Sequence, residues 1–144
     1  MGKRRSILVF VDSSVLFSAV NSPTGGSAKL FTVRLFKLIT SPTVLAEVER
    51  NVRNKLSSEY LRRFFFLVDG LTVIDQRPNE RLVSQAKKVI VEKDAVILAE
   101  AKQSMAESIV TLDKKHFFTP KVERFLGKQK VSIPKMLLTI TPKT

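Results

Sequence analysis

The 144-residue sequence has no cysteine and no tryptophan, and only one histidine and one tyrosine. Without cysteine there is no disulfide, no zinc–thiolate site and no thiol nucleophile. That absence fits a reducing cytoplasm. With His116 alone, a cluster of histidine ligands is excluded, so a bound metal is expected on oxygen ligands, which points to Mg²⁺ or Mn²⁺. Apolar runs such as residues 7–11 and 64–68 fall far short of the ~20 residues of a membrane span, and no membrane partner is expected. Acids are scarce too: 13 Asp and Glu face 25 Lys and Arg, a formal net charge of +12. So basic a body attracts polyanions, nucleic acid foremost, although a source whose proteins are all basic would give the same count.

The hydrophobic content of 44% argues against disorder, and the length suits one domain over residues 1–144. The basic start Lys3-Arg4-Arg5 before an apolar run imitates a signal peptide, but Asp12 interrupts the run too early. Residues 1–6 also match an N-myristoylation pattern, read as chance because a strand follows at once. Ile7-Leu8-Val9-Phe10-Val11 has the continuous apolar character of a strand buried on both faces. A Ser-capped helix over 13–20 and a loop over 21–26 follow, then a short helix over 27–32 and a strand over 35–39. Ser41-Pro42 is a helix start, with Ser as cap and Pro in the first turn. Val44, Leu45, Val48, Val52 and Leu56 continue at helical spacing. Further helices are expected over 57–68, 80–90 and 94–105, the last capped by Asp94. Strands are expected over 71–74 and 108–112, with a final one over 131–133 or 136–140. Strands alternating with helices imply crossover connections and a mainly parallel sheet in a three-layer α/β domain.

In such a sheet, ligands collect at the carboxyl ends of the strands. Asp12 ends the strand over 7–11 and Asp113 the strand over 108–112. Asp94 opens a helix, and Glu47 lies in the second turn of the Ser41-capped helix. If these elements point at one crevice, four carboxylates meet there. They would repel one another unless a divalent cation compensates. Taken singly, each has an ordinary explanation: an N-cap, a solvated helix acid, a turn residue. An acid directly after five apolar residues is the hardest to explain away.

Four segments then carry a resemblance. Val11-Asp12-Ser13-Ser14-Val15-Leu16-Phe17-Ser18-Ala19 resembles the opening of PIN-domain nucleases. Ser41-Pro42-Thr43-Val44-Leu45-Ala46-Glu47-Val48 is similar to their second acidic motif, and Lys93-Asp94-Ala95-Val96-Ile97-Leu98-Ala99-Glu100-Ala101 to the third. Val110-Thr111-Leu112-Asp113-Lys114-Lys115-His116-Phe117 is similar to the fourth. The segments stand in family order across nearly the whole chain. The resemblance, to stand-alone PIN proteins such as the toxin component of type II toxin–antitoxin pairs, implies a PIN-like fold and Mg²⁺- or Mn²⁺-dependent cleavage of single-stranded RNA. Asp12, Glu47, Asp94 and Asp113 would be the catalytic, metal-holding acids, with Ser14 and Thr111 in support. Many relatives carry another acid two residues past the last Asp, where this chain has Lys115. That departure leaves room for a second reading, a weakly active or inactive PIN module that binds RNA or a protein.

From Lys114 to Thr144 there are eight Lys and Arg and one acid, Glu123. Lys114, Lys115 and His116 are therefore candidate substrate-binding residues, with Phe117 and Phe118 available for stacking or for the core. Three successive Phe, at 64–66, cannot all face inward from one helix. At least one is expected to be exposed, which suggests a homodimer or an antitoxin as partner.

Overall fold

The computed structural model describes residues 5–140; the myristoylation pattern and the basic start fall largely outside them. In chain order the elements are β1 (Ile7–Val11), α1 (Ser13–Asn21), α2 (Gly26–Leu30), β2 (Phe36–Thr40), α3 (Pro42–Lys55), α4 (Glu59–Val68) and β3 (Thr72–Val73). They continue with α5 (Glu80–Ala86), α6 (Glu92–Gln103), β4 (Ser108–Val110), α7 (Lys114–Phe117), α8 (Pro120–Leu126), β5 (Lys130–Ser132) and α9 (Pro134–Thr139).

The five strands form one sheet in the order β3-β2-β1-β4-β5. Every pairing is parallel: Val9 lies opposite Leu38 on one side and Ser108 on the other. This is the three-layer α/β architecture expected from the alternation of strands and helices. Val9, Phe10, Val11, Ile109 and Val110 are fully buried, because helices cover both faces of a parallel sheet. Leu16 and Val20 from α1, Val44, Val48 and Val52 from α3, and Leu98 from α6 close the core. The chain leaves β1 toward β2 and later returns to β4 on its other flank. A crevice therefore opens between the carboxyl ends of β1 and β4, where ligands bind in open sheets.

Several expected boundaries move. The helix expected over 94–105 starts two residues earlier, with Val91 at the N-cap position; Asp94 is in its first turn and is not its cap. Strand β4 stops at Val110, and Leu112 is exposed. The last strand is β5, while residues 136–140 belong mostly to α9, since Pro134 in the first turn begins a helix and cannot continue a ladder. The Ser41 start stands as read: its hydroxyl accepts from the Val44 N–H at 3.1 Å. Among the described residues no helix is long and apolar enough to cross a membrane.

Candidate metal centre

Asp12 follows β1 directly and is buried to 5% exposure. Its backbone N–H donates to the Val110 carbonyl at 3.0 Å, extending the β1–β4 ladder by one step. Its Oδ2 accepts from the Ser14 hydroxyl at 2.8 Å and the Thr111 hydroxyl at 2.7 Å. Each hydroxyl is itself oriented: Ser14 Oγ accepts from the Leu112 N–H and Thr111 Oγ1 from the Asp113 N–H, both at 3.0 Å. The end of β1 and the loop after β4 are thereby locked together around one carboxylate. Burial raises the Asp12 pKa, and the Thr111 and Ser14 hydroxyls partly oppose that rise.

Asp12, Glu47, Asp94 and Asp113 all line one cleft of about 210 Å³, with Ser14 beside them. Burial also raises the pKa of Asp94; Lys93 pulls it down, while Asp12 and Asp113 push it up. Asp94 Oδ2 is buried and has no hydrogen-bond partner among the described residues. Asp113 caps α7: Oδ1 accepts from the His116 N–H at 3.1 Å and Oδ2 lies 2.8 Å from His116 Nδ1. Ligand atoms of Asp94, Asp113 and His116 all fall within 4.8 Å of one another. An orphaned buried carboxylate oxygen among converging acids fits a divalent cation, which would supply the missing positive charge.

His116, expected to face substrate, rests against Asp113. Lys114 and Lys115 are exposed, and the lysines that line the acidic cleft are Lys55 and Lys93. Lys114 borders a separate hollow with Ser18, Ser27 and Ile133. Sequence reasoning passed over Lys55, although Glu47, Asn51 and Lys55 repeat every four residues and share one helix face. It also passed over Glu100, buried at 2% exposure on α6. Its Oε2 accepts from the Thr43 hydroxyl at 2.8 Å, tying α6 to the start of α3. A larger hollow of about 840 Å³, bordered by Ile7, Met105, Leu126 and Met136, contains none of the four acids.

A parallel sheet with an acidic cleft at the carboxyl ends of β1 and β4 makes this an α/β domain whose candidate site is a cluster of carboxylates. The family profile of the PIN domain matches residues 9–120, and the chain belongs to that family. Similar solved structures include a toxin–antitoxin complex from Klebsiella pneumoniae, with TM-score 0.63 and 18% identity over 88% of this chain and 97% of that one. VapBC2 from Rickettsia felis, bound to a DNA fragment from its promoter, gives 0.68 and 15% over 88% and 98%. VapC20 from Mycobacterium tuberculosis, a sarcin–ricin loop cleaving toxin, gives 0.54 and 18% over 74% and 91%. No curated protein matches the sequence itself.

Proposed function

We propose that the chain is a divalent-metal-dependent endoribonuclease that hydrolyses phosphodiester bonds of single-stranded RNA, in a toxin-like or RNA-processing role. The observation that carries this reading is the convergence of Asp12, Glu47, Asp94 and Asp113 on one cleft, with one Asp94 oxygen left without a partner. Asp12, Asp94 and Asp113, with Glu47 beside them, would hold Mg²⁺ or Mn²⁺. When bound, such an ion acidifies water and offsets charge on the scissile phosphate. Ser14 and Thr111 keep Asp12 in one rotamer by donating to it, so the cleft needs little rearrangement before reaction. Glu47, which lines the same cleft and forms no ion pair with a base among the described residues, would accept a proton from the attacking water. Lys55 and Lys93 set positive charge at the rim, where the phosphodiester backbone must approach four acids. The choice of RNA draws on the similarity to VapC20.

A protein partner belongs to the same reading. Phe64 is buried, but Phe65 is 49% and Phe66 72% exposed. Phe66 borders a hollow of about 420 Å³ with Phe31, Arg63 and Leu67. An antitoxin or a second copy of the chain would remove that surface from water, and toxin–antitoxin complexes are among the structural relatives.

The test is a cleavage assay on single-stranded and structured RNA, with Mn²⁺ or with EDTA, beside Asp12→Asn. Cleavage with Mn²⁺, and a loss of about 100-fold or more in the variant with its circular dichroism unchanged, is expected. Equal Mn²⁺-dependent cleavage by Asp12→Asn would overturn the site. RNA bound in EDTA but left intact with Mn²⁺ would select the binding module to which Lys115 points.

A further inference from the structure

We infer that His116 is a nitrogen ligand of the metal ion proposed for this cleft, and that the centre therefore selects a transition ion over Mg²⁺. The inference rests on the reading of the cleft as a metal site and sharpens it. In the sequence, His116 is a candidate for substrate binding, and a single histidine, making no histidine cluster, leaves oxygen ligands expected throughout. The folded chain groups the donors differently. Among the described residues, the set whose ligand atoms approach within 4.8 Å comprises Asp94, Asp113 and His116, two carboxylates and an imidazole.

Local geometry explains why His116 takes this place. Asp113 caps the single helical turn of α7, and the third residue of a capped turn folds back onto its cap. That residue is His116, while Lys114 and Lys115 face solvent. The position two beyond Asp113 is thus directed outward, and the position three beyond supplies the additional donor. The cap bond runs from the His116 backbone N–H, so it holds Asp113 whatever the side chain does.

The separation of Asp113 and His116 fits a shared ion. Two donors that each sit about 2.1 Å from one cation and at right angles lie about 3.0 Å apart. Asp113 Oδ2 and His116 Nδ1 are 2.8 Å apart, close to that separation, and Asp94 Oδ2 is the buried oxygen still lacking a partner. Asp12 differs, because its Oδ2 already accepts two hydroxyl hydrogens. A donor set with an imidazole favours nitrogen-seeking first-row ions, whereas Mg²⁺ favours oxygen alone. The competing role for His116 is to donate Nδ1–H to Asp113 and orient it without touching the ion.

Electron spin-echo spectroscopy of the full chain loaded with one equivalent of Mn²⁺ separates the two roles. The inference expects ¹⁴N modulation in the wild-type spectrum and its loss in His116→Gln, which keeps the backbone cap and hence the fold. It also expects the Mn²⁺ dissociation constant to rise about tenfold in that variant, with the Mg²⁺ constant changing less than about twofold. Mn²⁺ bound without ¹⁴N modulation, or with modulation that persists in His116→Gln, would overturn the ligand role while leaving the acidic centre in place. No Mn²⁺ binding by the wild type, or binding untouched by Asp94→Asn, would overturn the metal reading as well.

Discussion

Asp12 is a buried acid whose environment works against its own charge and then repairs part of the damage. Burial favours the neutral form, and two hydroxyls that are themselves fixed by backbone N–H groups favour the anion. Thr111→Val keeps the shape of the side chain but deletes the bond to Asp12 and strips the Asp113 N–H of its acceptor. A buried donor left unmade costs about 1–3 kcal/mol. Urea denaturation is expected to show a loss in that range, with cleavage falling at the same time; wild-type stability would mean that the hydroxyl is replaceable by water. That the four acids meet at one cleft was legible, for Asp12 and Asp113 because strand ends are marked by abrupt changes of polarity, and for Glu47 and Asp94 because each lies near the start of a helix. The place of His116 against Asp113 was not, since a three-residue return onto a cap depends on a turn too short to leave a periodic signal. Glu100 was hidden for another reason. Its partner Thr43 is 57 positions away, and a buried polar pair at that separation looks in sequence like two surface residues.

Capping chemistry accounts for most of what was read correctly among the elements and for part of what was missed. Ser41-Pro42 starts α3 as expected, and Thr119-Pro120 starts α8 by the same device, with Thr119 accepting from the Val122 N–H at 3.2 Å. That second signal was present in the sequence and passed over beside the basic residues around it. The start of α6 was misplaced because Asp94 is a good cap residue by type, yet Val91 occupies the cap position without a side-chain bond. Asp94 is released for the cleft as a result. The far end of α6 holds the one positive φ outside glycine among the described residues, +63° at Met105. Met105 is 79% exposed, so its side chain gains little packing to offset a left-handed backbone. Met105→Gly is expected to stabilise the fold by about 0.5–1 kcal/mol, read as a rise in Tm, because glycine adopts this conformation without the Cβ clash. A fall in Tm would show that the methionine side chain contributes through the adjoining apolar hollow.

At the scale of the whole molecule, a chain of net charge +12 holds a small acidic cleft, and its shifted acids have opposite effects on stability. Asp12, Asp94 and Glu100 all have raised pKa values, each chiefly through burial. A raised acid costs nothing while both folded and unfolded forms are protonated. The cost grows as pH rises from the ordinary carboxyl range through the raised value. Glu107 runs the other way: the Leu8 N–H, then Arg5, hold its pKa down, so its contribution is lost as pH falls. It is well exposed, and solvent screening keeps that contribution small. In EDTA, stability should therefore decline as pH rises above the ordinary carboxyl range. A cation that binds the ionised cleft reverses the decline for Asp12 and Asp94, adding about 2.7 kcal/mol at a hundred times its dissociation constant. Glu100 lies outside the cleft and keeps its share of the slope. Thermal melts across pH, with EDTA or with Mn²⁺, separate these contributions. The Mn²⁺-induced rise in Tm should grow with pH and shrink in Asp94→Asn, whereas Glu100→Gln should remove the slope that persists under Mn²⁺. A Tm independent of pH in EDTA would mean that the three acids are compensated within the protein itself, and the case for a cation as the missing partner of Asp12 and Asp94 would fall with it.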